Sequence, residues 1–250
     1  LPLQDGFDNA GLQIGLTEVE ATGALLCLDV TEAVLDEAIA LGHNLVISHH
    51  PLIFKGYKSI TGKDYVERCI LKAIKNDIVI YSAHTNLDNA YGGVNYKIAE
   101  KIGLKNLQVL EPKENSLQDD LMQAGAGIVG ELDEPETELE FLKRIKKTFE
   151  VGCVRHNRLT GREIQKVALC GGAGAFLLPQ AIRAGADVFI TGEIKYHDYF
   201  GHEGDILMAE IGHYESEQYT KEIFYSIIRD LFPNFALQLS KINTNPIKYL

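Results

Sequence analysis

Apolar residues in the first half of the chain fall into short runs separated by stretches with helical spacing. Ala24 to Val30 is one such run, and Val34, Leu35, Ala38 and Ile39 then recur at helical intervals. Thr31 stands where a helix N-cap is needed, Glu32 lies at the helix start, and Gly42 is placed to stop it. Leu45 to Ile47 is a second run, followed by Ser48-His49-His50-Pro51 at its carboxyl end. The pattern predicts strand, helix, strand. A helix over residues 65–75 and a strand from Ile78 to Ser82 follow, delivering Ala83-His84-Thr85-Asn86-Leu87-Asp88.

The second half repeats this plan. Val167 to Cys170 reads as a strand, Gly171-Gly172-Ala173-Gly174 as a tight turn, Phe176 to Arg183 as a helix ending at Gly185, and Val188 to Ile190 as the next strand. One offset aligns the halves, since 170 − 27, 182 − 39, 185 − 42 and 190 − 47 all equal 143. Beyond the next strand of each half comes a histidine followed four residues later by an acid: His84 with Asp88, and His213 with Glu217. Ligand sites in open α/β sheets lie at the carboxyl ends of strands, where these residues fall. The expected organisation is therefore a first α/β lobe over 1–110, a less regular linking region over 111–165, and a second lobe over 166–250, with a site between the lobes. Within the linking region, Leu139, Leu142, Ile145 and Phe149 mark an amphipathic helix over Glu136–Phe149.

The formal net charge of −11 and the lack of any long Lys/Arg cluster argue against a nucleic-acid partner. Bound metal ions would supply the local positive charge that an anionic substrate needs. The four cysteines show no CxxC spacing, and Cys27 and Cys170 lie in apolar strands, so a disulfide framework is not expected and a reducing compartment is. No apolar run reaches membrane-spanning length and no signal peptide is visible, which points to the cytoplasm.

Among residues that could carry chemistry, His49-His50-Pro51 comes first. Neighbouring side chains in an extended segment diverge, so adjacent histidines serve two ions more comfortably than one. Set against this is a chance pair of loop histidines. Asp88 and Glu217 add carboxylates, and a mixed imidazole and carboxylate set suits zinc, iron or manganese. His84 is open between ligand, ligand-orienting partner and proton shuttle, with the last two preferred. His197 and Asp198 either line the cleft or are polar loop residues. His43, His156 and His202 read as surface or structural. The Gly171–Gly174 turn either holds phosphate on its amides or, as preferred, lets the following helix pack on the sheet. Asp8 to Gln13 forms a turn or a polar lip. No GxSxG elbow or Cys-His pair supports a nucleophilic enzyme.

Five blocks of sequence resemble a known family in its order. They are Asp8-Asn9-Ala10-Gly11-Leu12-Gln13-Ile14-Gly15, "ISHHPLIF" from Ile47, "SAHTNLDNAYGGVN" from Ser82, "GADVFITGEIKYHD" from Gly185 and "IGHYESE" from Ile211. The family is the GTP cyclohydrolase I type 2 homologs, also called NIF-three-like or dinuclear metal-centre proteins. The resemblance implies two similar, interlinked α/β lobes, a dinuclear metal site in the cleft between them, and a toroidal homohexamer. It carries metal-ligand roles onto His49, His50, Asp88, His213 and Glu217, and leaves His84 close to the metals. Many relatives have an extra middle domain, and the text around Ser116-Leu117 resembles the two sides of its insertion point.

These readings combine into a metal-dependent hydrolase. Two divalent ions share a water of lowered pKa and direct it at a small nucleotide-type substrate, with His84 handling protons. The alternatives are a non-catalytic metal-binding scaffold that uses the oligomer, and a nucleotide phosphoesterase.

Overall fold

The computed structural model describes residues 3–113, 124–202 and 204–250. In chain order, the first stretch runs β1 (Gly11–Ile14), β2 (Ala24–Cys27), α1 (Glu32–Leu41), β3 (Leu45–Ser48), α2 (Tyr65–Lys75), β4 (Val79–Ser82) and α3 (Thr85–Asp88). The middle of the chain forms α4 (Val94–Ile102), β5 (Lys105–Pro112), β6 (Gly125–Thr137), α5 (Glu138–Thr148), β7 (Arg155–His156) and β8 (Glu163–Cys170). Then come α6 (Leu178–Arg183), β9 (Val188–Thr191), β10 (Leu207–Glu210), α7 (His213–Glu217), α8 (Thr220–Leu231) and β11 (Leu237–Leu239).

The chain divides into two compact units, one of residues Leu1–Leu87 with Tyr219–Pro246, the other of Asp88–Gln218 with Ile247–Leu250. This differs from the division expected along the sequence. The described part of 111–165 is no linker: the end of β5 and all of β6 make one side of the second sheet and β7 its far edge. The end of the chain, α8 and β11, belongs to the first unit rather than the second. The strand signal in β6 was masked by its opening Gly125-Ala126-Gly127, because glycine and alanine are poor strand formers. A Cβ at Gly125 would overlap the Glu111 carbonyl and the Val109 side chain, so the close pairing of β5 with β6 requires that glycine. The proposed insertion point at Ser116-Leu117 lies outside the described residues.

The sheet of the first unit has the order β1-β4-β3-β2-β11, with β1 antiparallel to β4 and the other neighbours parallel. Its helices start and stop where local chemistry dictates. The Thr31 side chain accepts a hydrogen bond from the Val34 amide to open α1, and Gly42 closes it in the left-handed conformation at φ 68°. Asp64 caps α2 through the Glu67 amide. Leu25, Cys27, Val34, Leu35, Val46, Ile70 and Ile80 form the buried core around this sheet. Each such aliphatic side chain contributes about 1.5–3 kcal/mol by leaving water.

The second sheet has the order β5-β6-β8-β9-β10-β7, in which β8, β9 and β10 are parallel and the remaining pairs antiparallel. A capping box at Thr137 and Glu140 starts α5, which buries Phe141, Leu142 and Ile145 and leaves Leu139 exposed. Phe141 thus takes the core position that spacing alone gave to Leu139. The helix expected over Phe176–Arg183 begins instead with a 3-10 turn at Gly174–Leu177, and Pro179 then occupies the first turn of α6.

The duplicated sequence has a duplicated register. In the first unit Ala24 pairs with Leu45 and Cys27 with Ser48; in the second Val167 pairs with Val188 and Cys170 with Thr191. All four residues move by the same 143 positions. The parallel trio β2, β3, β4 matches β8, β9, β10, and each trio is closed on the same side by a short antiparallel strand, β1 or β7. The repeat therefore extends one strand beyond what the sequence revealed.

Candidate metal centre

In the first unit, the carboxyl ends of β3 and β4 place three imidazoles together. His49 and His50 follow β3, and their amides donate to the Leu28 carbonyl at 3.1 and 3.0 Å. The Ser48 and Ser82 hydroxyls, 2.8 Å apart, both reach the His50 carbonyl, which fixes the peptide before Pro51. His84 follows β4. Ring centroids lie 4.9 Å apart for His49 and His50, 5.2 Å for His49 and His84, and 5.5 Å for His50 and His84. One ligand nitrogen from each lies within 4.8 Å of the others, a spacing that could hold a metal ion.

Each ring is turned by an oxygen behind it. His49, fully buried, has Nδ1 2.9 Å from the Ala83 carbonyl. His50 Nδ1 lies 2.7 Å from Asp29 Oδ1, and His84 Nδ1 2.7 Å from Asp8 Oδ1. A carbonyl or carboxylate only accepts, so Nδ1 carries the proton in each neutral ring and Nε2 carries the lone pair. This is the arrangement by which metal-ligating histidines are held and made more basic. Burial pushes the Asp8 carboxyl up, but hydrogen bonds from the Thr85 and His84 side chains, the His84 charge and the Asn9 amide outweigh it and hold it below its ordinary value.

In the second unit the group is built on carboxylates. His213 and Glu217 open and close α7, with His213 Nε2 3.1 Å from Glu217 Oε2. His213 Nδ1 lies 2.8 Å from Glu193 Oε1, the same back-side anchoring seen in the first unit. Asp88 begins this unit, and one of its carboxylate oxygens lies within 4.8 Å of one on Glu217. Glu217 is only 3% exposed. Two carboxylates brought this close, one of them buried, repel unless a cation stands between or beside them. The donor set thus suits a divalent ion on both counts, charge and ligand type.

The glycine turn after β8 shapes this second group. Gly172 has φ 60°, and a Cβ there would overlap Glu217 Oε1 and approach His213 Nε2. Its amide donates to the Ser216 hydroxyl at 3.0 Å, and its carbonyl accepts from the Glu193 amide at 3.0 Å. The buried Asn95 completes the frame, donating to the Asp88 carbonyl at 3.0 Å and accepting from the Gly171 amide at 2.9 Å. The turn packs against metal-ligand candidates, a role that the helix-on-sheet packing expected of these glycines did not include.

The other histidines divide. His197, Asp198 and His202 join Glu193 and Lys195 in lining a cavity of about 540 Å³ in the second unit. The His43 ring fills the space that a side chain at Gly23 would need, a packing role. His156 is exposed, its Nδ1 2.7 Å from the Asn157 carbonyl. Sequence reasoning missed Asp29 and gave Asp8 no chemical role. Asp29 stands two residues beyond β2, at the same end of the sheet as His50, and that placement was the one available signal.

Comparison with known proteins identifies relatives along nearly the whole chain. The family model described as Duf34/NIF3 (NGG1p interacting factor 3) matches residues 1–246. A Clostridium perfringens protein named GTP cyclohydrolase 1 type 2 homolog is 38% identical over 218 residues, covering 86% of this chain and 80% of the relative. A Staphylococcus aureus protein of the same name is 28% identical, covering 98% of this chain and 95% of the relative. That comparison runs over 349 positions against 250 residues here, and 349 − 250 leaves at least 99 positions with no residue in this chain. The crystal structure of a Staphylococcus aureus hypothetical protein superimposes with a TM-score of 0.90 at 33% identity, covering 100% of this chain and 94% of that one. With a family model matching residues 1–246 and a solved relative of like fold at 33% identity, this chain belongs to the Duf34/NIF3 family.

Proposed function

We propose that this protein is a dinuclear metal-dependent hydrolase of the GTP cyclohydrolase type 2 kind, acting on a nucleotide-type substrate. His49, His50, Asp88, His213 and Glu217 are the residues that would hold two divalent ions. The observation that carries this reading is the shared pose of four imidazoles, each with Nδ1 2.7–2.9 Å from a carbonyl or carboxylate oxygen, which turns Nε2 of His49, His50 and His213 toward a ligand role. Chain connectivity supports it, since α3 begins one residue after His84 and ends at Asp88, where the second unit starts. The name shared by the curated relatives supports the substrate class.

Ions bound at these residues supply Lewis-acid activation of water, and the ligand set accepts zinc, iron or manganese. The protein's own groups do the rest. Asp8 fixes the tautomer of His84 so that its Nε2 faces away from the carboxylate, and His84 takes up and returns the proton during hydrolysis. Glu193 holds His213 and also lines the 540 Å³ cavity, where Lys195 offers a cation to an anionic substrate. The assembly proposed is the homohexamer that the family resemblance implies.

The test is elemental analysis of purified protein alongside turnover of GTP and other nucleotides, with zinc, manganese and iron loaded separately. Asp88→Ala should lose both metal and turnover, and formate with a ring-opened product should appear from GTP. Released phosphate would shift the reaction to a phosphoesterase, and full turnover by metal-free protein would sink the proposal.

A further inference from the structure

A second cavity of the second unit has a chemistry that the metal ligands do not explain. It has a volume of about 540 Å³ and is lined by Arg155, His156, Arg158, Tyr196, Tyr199 and Phe200, with Val154 and Asn157. Among the described residues no acidic side chain lines it, in a protein of net charge −11. Its size is in the range of small-molecule sites.

The walls of this cavity are braced from beneath. Glu210, at the end of β10, accepts hydrogen bonds from Arg155 Nη1 at 2.8 Å, the Ile194 amide at 3.1 Å and the Tyr199 hydroxyl at 3.2 Å. The Arg155 guanidinium carbon in turn lies 5.8 Å from the centre of the Tyr199 ring. Arg155 is thereby neutralised and oriented. Arg158 is exposed and has no hydrogen-bond or ion-pair partner among the described residues, so its charge is available to a ligand. Tyr196 and Phe200 are 69% and 56% exposed, with ring centroids 5.4 Å apart. Large aromatic rings facing solvent beside a free guanidinium are what an anion carrying a planar ring system needs: rings for stacking, and the fork of Arg158 for phosphate oxygens.

We propose that this cavity binds a nucleoside monophosphate, its base against Tyr196 and Phe200 and its phosphate on Arg158. Charge selects a mononucleotide over a nucleic-acid strand. One free guanidinium matches one phosphate, whereas a polyanion would meet the repulsion of the whole acidic surface. The site is separate from the candidate metal ligands and does not depend on them.

Calorimetric titration of the full chain with GMP, with guanosine and inorganic phosphate as separate arms, tests this. GMP should bind, each fragment should bind at least about tenfold more weakly, and Arg158→Ala and Tyr196→Ala should each weaken GMP by about tenfold or more. Both residues are exposed, so unchanged melting temperatures are expected of the variants. Binding should survive a chelator and the Asp88→Ala substitution, which separates this site from the hydrolase proposal. The proposal is overturned by absence of GMP binding, by phosphate binding as tightly as GMP, by wild-type affinity in both variants, or by loss of binding on metal removal.

Discussion

Asp29 Oδ1 lies 2.7 Å from His50 Nδ1, and its other oxygen accepts the Thr244 hydroxyl from the far end of the chain. The carboxylate thus sets the tautomer of His50 and is itself held in place. Asp29→Ala should weaken metal affinity by about 10–100-fold, the usual cost of losing such a partner. Competition against a chromophoric chelator measures this. Affinity equal to wild type would remove Asp29 from the site.

Asp8 serves His84 in the same way and also accepts from the Thr85 amide at 3.1 Å and hydroxyl at 2.6 Å. Asp8→Ala strips acceptors from all four donors, the Asn9 amide included, and should cost about 1–3 kcal/mol of stability. Asp8→Asn keeps an acceptor oxygen but removes the charge, so its loss of stability should be smaller while turnover falls further than folding explains. Urea unfolding and steady-state rates on the two variants separate these effects.

Gly172→Ala should damage the second half of the centre through backbone and contact together. The left-handed φ costs an alanine about 1–2 kcal/mol, and the new methyl would displace Glu217. We expect a lower melting temperature and reduced metal content. An alanine variant with full metal occupancy would show that Glu217 has room to move.

Glu67, remote from the site, is the clearest source of acid sensitivity. The Thr61 amide is the strongest of several donors that bring its carboxyl from 4.5 down to about 2, against burial, with the Lys63 amide and the Thr61 hydroxyl also contributing. Its folded value is the lower one, so the stability it contributes is full above pH 4.5 and is lost as pH falls toward about 2. Glu67→Gln should therefore lower the melting temperature at neutral pH and lose that deficit in strong acid. A deficit constant from pH 7 to pH 2 would contradict the assignment.

Local pattern was enough for much of the fold because its causes are local. The spacing of Val34, Leu35 and Ala38 with a Thr31 cap and a Gly42 stop specifies α1 without reference to the rest of the chain. The same holds for α2, β3, β4 and β9, and for the 143-residue repeat, whose register the two sheets keep residue for residue. The candidate histidines were legible for a related reason: they stand just beyond strands, with Asp88 and Glu217 each four residues after one of them.

What the sequence determined by itself is this set of elements and the residues at their ends. The tertiary structure decided what stands behind each ring. His50 meets Asp29 across 21 residues, His84 meets Asp8 across 76, and His213 meets Glu193 across 20. It also decided that β11 returns to pair with β2, Leu237 opposite Ala24, and that β5 and β6 are strands at all. Hydrogen bonds and strand pairs between remote residues have no period or cap to announce them. They depend on which surfaces the folded core brings together, so they appear only once that core has formed.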